Sequence, residues 1–61
     1  MTLEELKEKL PQATAMYYNG RLYEFDERHD DYVVTMDGSC FSHAQMTSKY
    51  NQCSLVKIEY L

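Results

Sequence analysis

Four side chains carry the nitrogen and sulfur donors of a structural zinc centre: His29, Cys40, His43 and Cys53. A closed zinc site needs four such ligands, usually as two closely spaced pairs. Cys40 and His43 form one short pair, but Cys53 and His29 are distant singles. Cys40, His43 and Asp37 could also be drawn as nucleophile, base and orienter, yet such triads are defined by geometry and not by closeness in sequence. Asp30 and Asp31 are adjacent carboxylates without the alternating spacing of a calcium loop. Solvation is the plainer account of them. For Cys40 and Cys53 the plainer account is small buried or half-buried apolar filler, with a disulfide between them as the alternative. The expectation is therefore no metal, no cofactor and no enzyme.

The size of the chain points the same way. A domain of 61 residues buries only about 60% of its unfolded surface, so its one core has little volume to spare for an enclosed ligand pocket. We read 1–61 as a single small domain. Nothing resembles a secretory h-region or a membrane span, and two cysteines are too few for a disulfide framework. A cytoplasmic location follows as the default.

The net charge of -4 is unevenly spread. Three acids and three bases cancel from Met1 to Tyr23, whereas Glu24 to Asp37 holds six acids against Arg28 alone. A phosphate backbone needs a basic track, so nucleic acid is an unfavourable partner and a protein with a basic surface a better one.

Two turn signals organise the elements that must position these residues. Asn19-Gly20 fits a two-residue type I′ turn, because both residues tolerate positive φ. It pairs Tyr18 with Arg21, Tyr17 with Leu22, Met16 with Tyr23 and Ala15 with Glu24. Asp37-Gly38 reads as a second I′ turn, pairing Val34 with Phe41. The core face would then carry Met16, Tyr18, Tyr23, Phe25, Val34 and Phe41, joined by Tyr32 and Tyr60. The opposite face would carry Tyr17, Leu22, Val33, Cys40 and Leu55. Before the sheet, residues 2–10 read as a helix with Thr2 as N-cap, Glu5 completing a capping box, and Leu3, Leu6 and Leu10 as an apolar stripe. Ser42 is positioned to cap a short helical turn through Met46, and strands are expected at about 13–18, 21–26, 32–36, 39–42 and 54–60.

The fold class is thus α+β: a short N-terminal helix packed on a strongly twisted antiparallel sheet of four or five short strands. A small SH3-like barrel is the alternative, since closure would hide the sheet edges.

Six tyrosines, at 17, 18, 23, 32, 50 and 60, are the most unusual feature of the composition. Tyrosine suits both a core margin and an interface. The second sheet face is apolar enough to need a cover, either the segment from Met46 to Tyr50 or a partner. The reading that follows is a non-enzymatic protein-binding module, a small inhibitor or adaptor of the kind phages use (an association by size). Tyr17, Leu22 and Val33 would anchor the partner, and an acidic loop of Glu24, Asp26, Glu27, Asp30 and Asp31 would steer it. The alternatives are a homodimer formed by β-pairing at a terminal strand, a DNA mimic, and a weak single-strand binder that stacks bases on exposed aromatics near Arg21, Lys49 and Lys57.

Overall fold

The computed structural model describes residues 1–59. Helix α1 (Leu3–Lys9) starts where Thr2, in extended geometry, accepts the backbone N–H of Glu5 on its hydroxyl at 3.2 Å. Glu5 answers through its carboxylate to the Thr2 hydroxyl at 3.3 Å, so the expected reciprocal bond to the Thr2 backbone is replaced by a side-chain one. Pro11 then converts the chain to one 3-10 turn (Leu10–Gln12), because it has no N–H to continue the helix. Of the leucine stripe, Leu6 and Leu10 enter the core while Leu3 stays half exposed.

Five antiparallel strands follow: β1 (Ala15–Tyr18), β2 (Arg21–Arg28), β3 (Tyr32–Thr35), β4 (Cys40–Ser42) and β5 (Cys53–Val56). Their spatial order is β4-β3-β2-β1-β5, so β5 closes against β1. Between β4 and β5, helix α2 (His43–Thr47) carries a full capping box, with Ser42 Oγ accepting from Gln45 N–H and Gln45 Oε1 accepting from Ser42 N–H, each at 3.1 Å. The result is a small α+β domain in which an N-terminal helix packs on a curled five-stranded half-barrel. Among the described residues the strands do not close, since β4 and β5 are the two edges, and the SH3-like alternative is set aside.

The first hairpin has the expected register, Ala15 to Glu24 through Tyr18 to Arg21. Asn19 and Gly20 both take positive φ, 50° and 86°, as a type I′ turn requires. Asn19 also ties β5 to this hairpin: its N–H donates to Gln52 O at 2.7 Å and its side-chain oxygen accepts from Gln52 N–H at 2.8 Å.

The second hairpin differs by one residue. Thr35 N–H donates to Ser39 O at 2.8 Å and Gly38 N–H to Thr35 O at 3.0 Å, which makes a three-residue loop. Gly38 alone takes positive φ, 87°, while Asp37 does not. A type I turn followed by a left-handed glycine meets this geometry. Val33 therefore pairs with Phe41 and Val34 with Cys40. Val33 moves into the core and Val34 to the outside, the reverse of the expected faces.

Strand β2 is longer than expected because it continues through a bulge. Phe25 pairs with Thr35 but Glu27 with Val34, leaving Asp26 as the extra residue. A bulge bends the strand and sharpens its twist, and here it joins the two halves of the curl. Beyond it, Arg28 reaches inward and donates to the carbonyl of Ala13 at 2.6 Å. Strand β5 also departs from expectation: Leu55 pairs with Met16 and Val56 with Ala15, so Leu55 packs on the core and Val56 faces out. The expected continuation of this strand ends at Val56, and the assignment of Tyr60 to the core falls outside the described residues. Tyr32, expected in the core, instead shares the outer side with Val34.

The core thus unites Leu6, Leu10, Met16, Val33, Phe41 and Met46, with Tyr18, Tyr23, Phe25, Cys53 and Leu55 packed around them. The loop register can be tested at Gly38. A Cβ there would meet nothing within 4 Å, so Gly38→Ala carries only the left-handed backbone cost, roughly 1–2 kcal/mol. Urea unfolding should register that loss, whereas Gly38→Asn, which tolerates this backbone, should lose markedly less.

Candidate functional site: the outer sheet face

Alternation along β1 and β2 sends Ala15, Tyr17, Leu22 and Glu24 to the side of the sheet away from both helices. Tyr17 and Leu22 are directly cross-strand and remain 49% and 40% exposed. Met36, 66% exposed, stands beside Glu24 and donates its backbone N–H to the Glu24 carbonyl at 2.8 Å. The segment from Met46 to Tyr50 does not cover this face. Met46 is buried among the core side chains and Tyr50 is 84% exposed.

The residues expected to form one binding surface are divided. Tyr17, Leu22 and Glu24 share the outer face, and Glu27 joins them there opposite Val34. Asp26, at the bulge, is exposed. Asp30 and Asp31 lie in the turn between β2 and β3, beside the helices, where the Asp31 carbonyl accepts the backbone N–H of His43 at 2.8 Å. Val33 is fully buried and cannot contact a partner, because the three-residue turn rotates it into the core. The acids expected in one loop are thus split, with Glu24 and Glu27 in strand β2 and the two aspartates on the helical side. Val34 and Val56 take the outward places expected for Val33 and Leu55. Their signal was in the sequence, since alternation fixes the face once the turn length is known.

The acids of β2 are largely uncompensated. Among the described residues neither Glu24 nor Asp26 pairs with a cation, and Glu27 meets only His29, at 3.8 Å. The His29 ring in turn stacks on Tyr32, with centroids 4.3 Å apart. Of the cations, Arg21 lies 3.9 Å from Asp37 and 5.1 Å from the Tyr23 ring centroid, and Lys49 lies over Tyr50 at 5.3 Å. These residues form no continuous basic track.

Cys40 is exposed and Cys53 half-buried, both as free thiols. Burial pushes the Cys53 thiol up, which keeps it protonated beside the Met16 sulfur, 3.7 Å away. Among the described residues no group of three His, Cys, Asp or Glu side chains is placed to hold a metal ion. Compared with protein-family models, with curated proteins and with solved structures, the chain matches none.

One carboxylate sets the turn that presents Met36. The Thr35 hydroxyl donates to Asp37, the Ser39 backbone N–H donates to the same oxygen at 3.1 Å, and Arg21 stands nearby. Together, with the Thr35 bond first, they hold the Asp37 carboxyl below its ordinary value of 3.8. The folded-state value being the lower one, this contribution is complete above pH 3.8 and disappears as the pH falls through the folded value. A titration of the Asp37 carboxyl carbon by NMR should show a midpoint below that of an unfolded reference peptide. The stability difference between the protein and Asp37→Asn should shrink over the same acid range.

Proposed function

We propose that this chain is a non-catalytic protein-binding module whose outer sheet face docks a protein with a basic surface. The observation that carries the reading is the exposed Tyr17–Leu22 pair on the same face as Glu24 and Glu27, with the exposed Met36 bonded through its backbone to Glu24. Tyrosine, leucine and methionine supply desolvated contact area, and tyrosine loses little side-chain freedom on binding. Carboxylates beside them raise the association rate with a cationic partner and select against anionic ones. The test is capture of partners from an extract of the native cells, read by mass spectrometry, with paired variants. Tyr17→Ala with Leu22→Asp should reduce the retained protein at least about tenfold, as removal of central anchors does, while Tyr50→Ala should retain it. Neutralising Glu24, Asp26 and Glu27 should slow association and weaken its salt dependence, with most of the affinity kept. Complete, salt-sensitive loss would instead favour mimicry of DNA. A partner held equally well by the Tyr17/Leu22 variant would overturn the docking face.

Self-association is the second reading, and the edge of β5, unpaired among the described residues, favours it, because a strand edge exposes unpaired N–H and C=O groups. It predicts a dimer in light scattering at micromolar concentration.

A further inference from the structure

Helix α1 runs beside the β5 edge of the sheet, and the two enclose a continuous groove. One hollow, of about 300 Å³, lies between Met1, Glu5 and Lys9 on one side and Cys53 to Leu55 on the other. A second, of about 180 Å³, lies between Lys9 with the turn after α1 and the stretch Leu55 to Lys57. Lys9 and Leu55 border both, so the hollows are adjoining parts of one channel along β5. Their strand walls, 53–55 and 55–57, are offset by two residues. That is the interval at which the side chains of an extended chain return to the same face.

The channel also has main-chain groups to offer. Gln52 O accepts from Asn19 N–H at 2.7 Å, and Val56 O accepts from Thr14 N–H at 3.0 Å. The even-numbered residues of this segment therefore turn their peptide groups toward β1. Alternation sends the N–H and C=O of Cys53 and Leu55 the other way, where β5 has no neighbour among the described residues.

Charge distinguishes the two hollows. Lys9 and Lys57 border the smaller one with no carboxylate in its lining. Among the described residues Lys57 has no ion-pair partner, and Lys9 meets only Glu5, in an exposed pair at 4.0 Å. The larger hollow offers Met1, Cys53 and Leu55 as apolar surface.

We infer that this groove binds an extended segment of a partner protein as a sixth strand antiparallel to β5. An acidic side chain sits between Lys9 and Lys57, and an apolar side chain two residues later lies opposite Leu55. Main-chain bonds to Leu55 and Cys53 supply affinity, and the hollows supply the choice of side chain. Every pairing in this sheet is antiparallel, which is also slightly the more stable arrangement. The groove prefers the opposite charge to the outer face, so either surface can fail without the other. It competes directly with self-association through β5.

The probe is the peptide acetyl-Ser-Thr-Glu-Thr-Val-Thr-amide, titrated while the backbone amides of the protein are followed by NMR. The expected result is a saturable shift at Cys53 and Leu55, with Leu22 and Met36 unmoved. N-methylation of the valine removes the donor to the Leu55 carbonyl and should weaken binding at least about fivefold. N-methylation of the threonine before it, whose N–H points to solvent, should leave binding unchanged. Glutamine for the peptide's glutamate should weaken binding about threefold, the scale of an exposed ion pair. Lys9→Gln with Lys57→Gln, both at exposed positions, should do the same, with little further loss when the two changes are combined. A shift that does not saturate, one that maps to the outer face, or one that N-methylation of the valine leaves intact would overturn the inference. So would Cys53 and Leu55 amides that move with protein dilution alone, because the edge would then belong to a second copy of the chain.

Discussion

The contact between Phe41 and Tyr18 sets the shape on which everything else depends. Phe41 lies on β4 and Tyr18 on β1, three strands away in the sheet order. A flat sheet would hold those strands roughly 14 Å apart, yet the two ring centroids are 4.7 Å apart. Tyr23 meets Phe41 edge-on at 4.8 Å and Tyr18 at 6.4 Å, so the three rings fill the hollow of the curl. Such pairs add about 0.5–1.5 kcal/mol each beyond the apolar area they bury. The bulge at Asp26 makes the bend, and the aromatic cluster gives the bend something to close around.

Closing one face in this way decides the fate of the other. Leu6 from the first helix, Leu10 from the 3-10 turn that follows it and Met46 from the second helix complete the same inner cluster, so both helices are committed to the hollow side. The outer side of the central strands is left with whatever the alternation puts there. Ala15 is small enough to disappear between Glu24 and Val56. Tyr17 and Leu22 are too large to be hidden by their neighbours. The exposed apolar surface and the packed core are thus two results of one curvature.

How much of this could be read from the residues alone depended on the chemistry of each turn. Asn19-Gly20 was legible because two adjacent residues that accept positive φ leave little choice of loop, and the register of β1 on β2 followed from it. Asp37-Gly38 was ambiguous. The same dipeptide serves a two-residue loop with both residues left-handed or a three-residue loop with glycine alone left-handed. The deciding factor is the Thr35 hydroxyl, which with the Ser39 N–H holds the Asp37 carboxylate over a right-handed turn. That bond joins residues outside the dipeptide, and its consequence, the exchange of Val33 and Val34, propagates along the whole strand. The capping box of α2 was partly legible because it is local in sequence. The bulge at Asp26 was not, because nothing in Glu24–Arg28 distinguishes a bulged strand from a polar loop.

The length of β2 also explains why the acids looked like one site. Read as a loop, Glu24 through Asp31 would have projected as a single acidic cluster. Once β2 runs to Arg28, alternation and the bulge divide that run by direction: Glu24 and Glu27 go to the outer face, Arg28 turns inward to the Ala13 carbonyl, and only Asp30 and Asp31 remain in the turn. The -4 charge then works at two places with different surroundings. On the open face, carboxylates are solvated and act mainly through long-range attraction, which salt screens over about 8–10 Å. Beside His43 the two turn aspartates border instead a groove lined by α1 and α2. One stretch of acidic sequence therefore yields two electrostatic environments, and the strand that separates them is the one whose length the residues concealed.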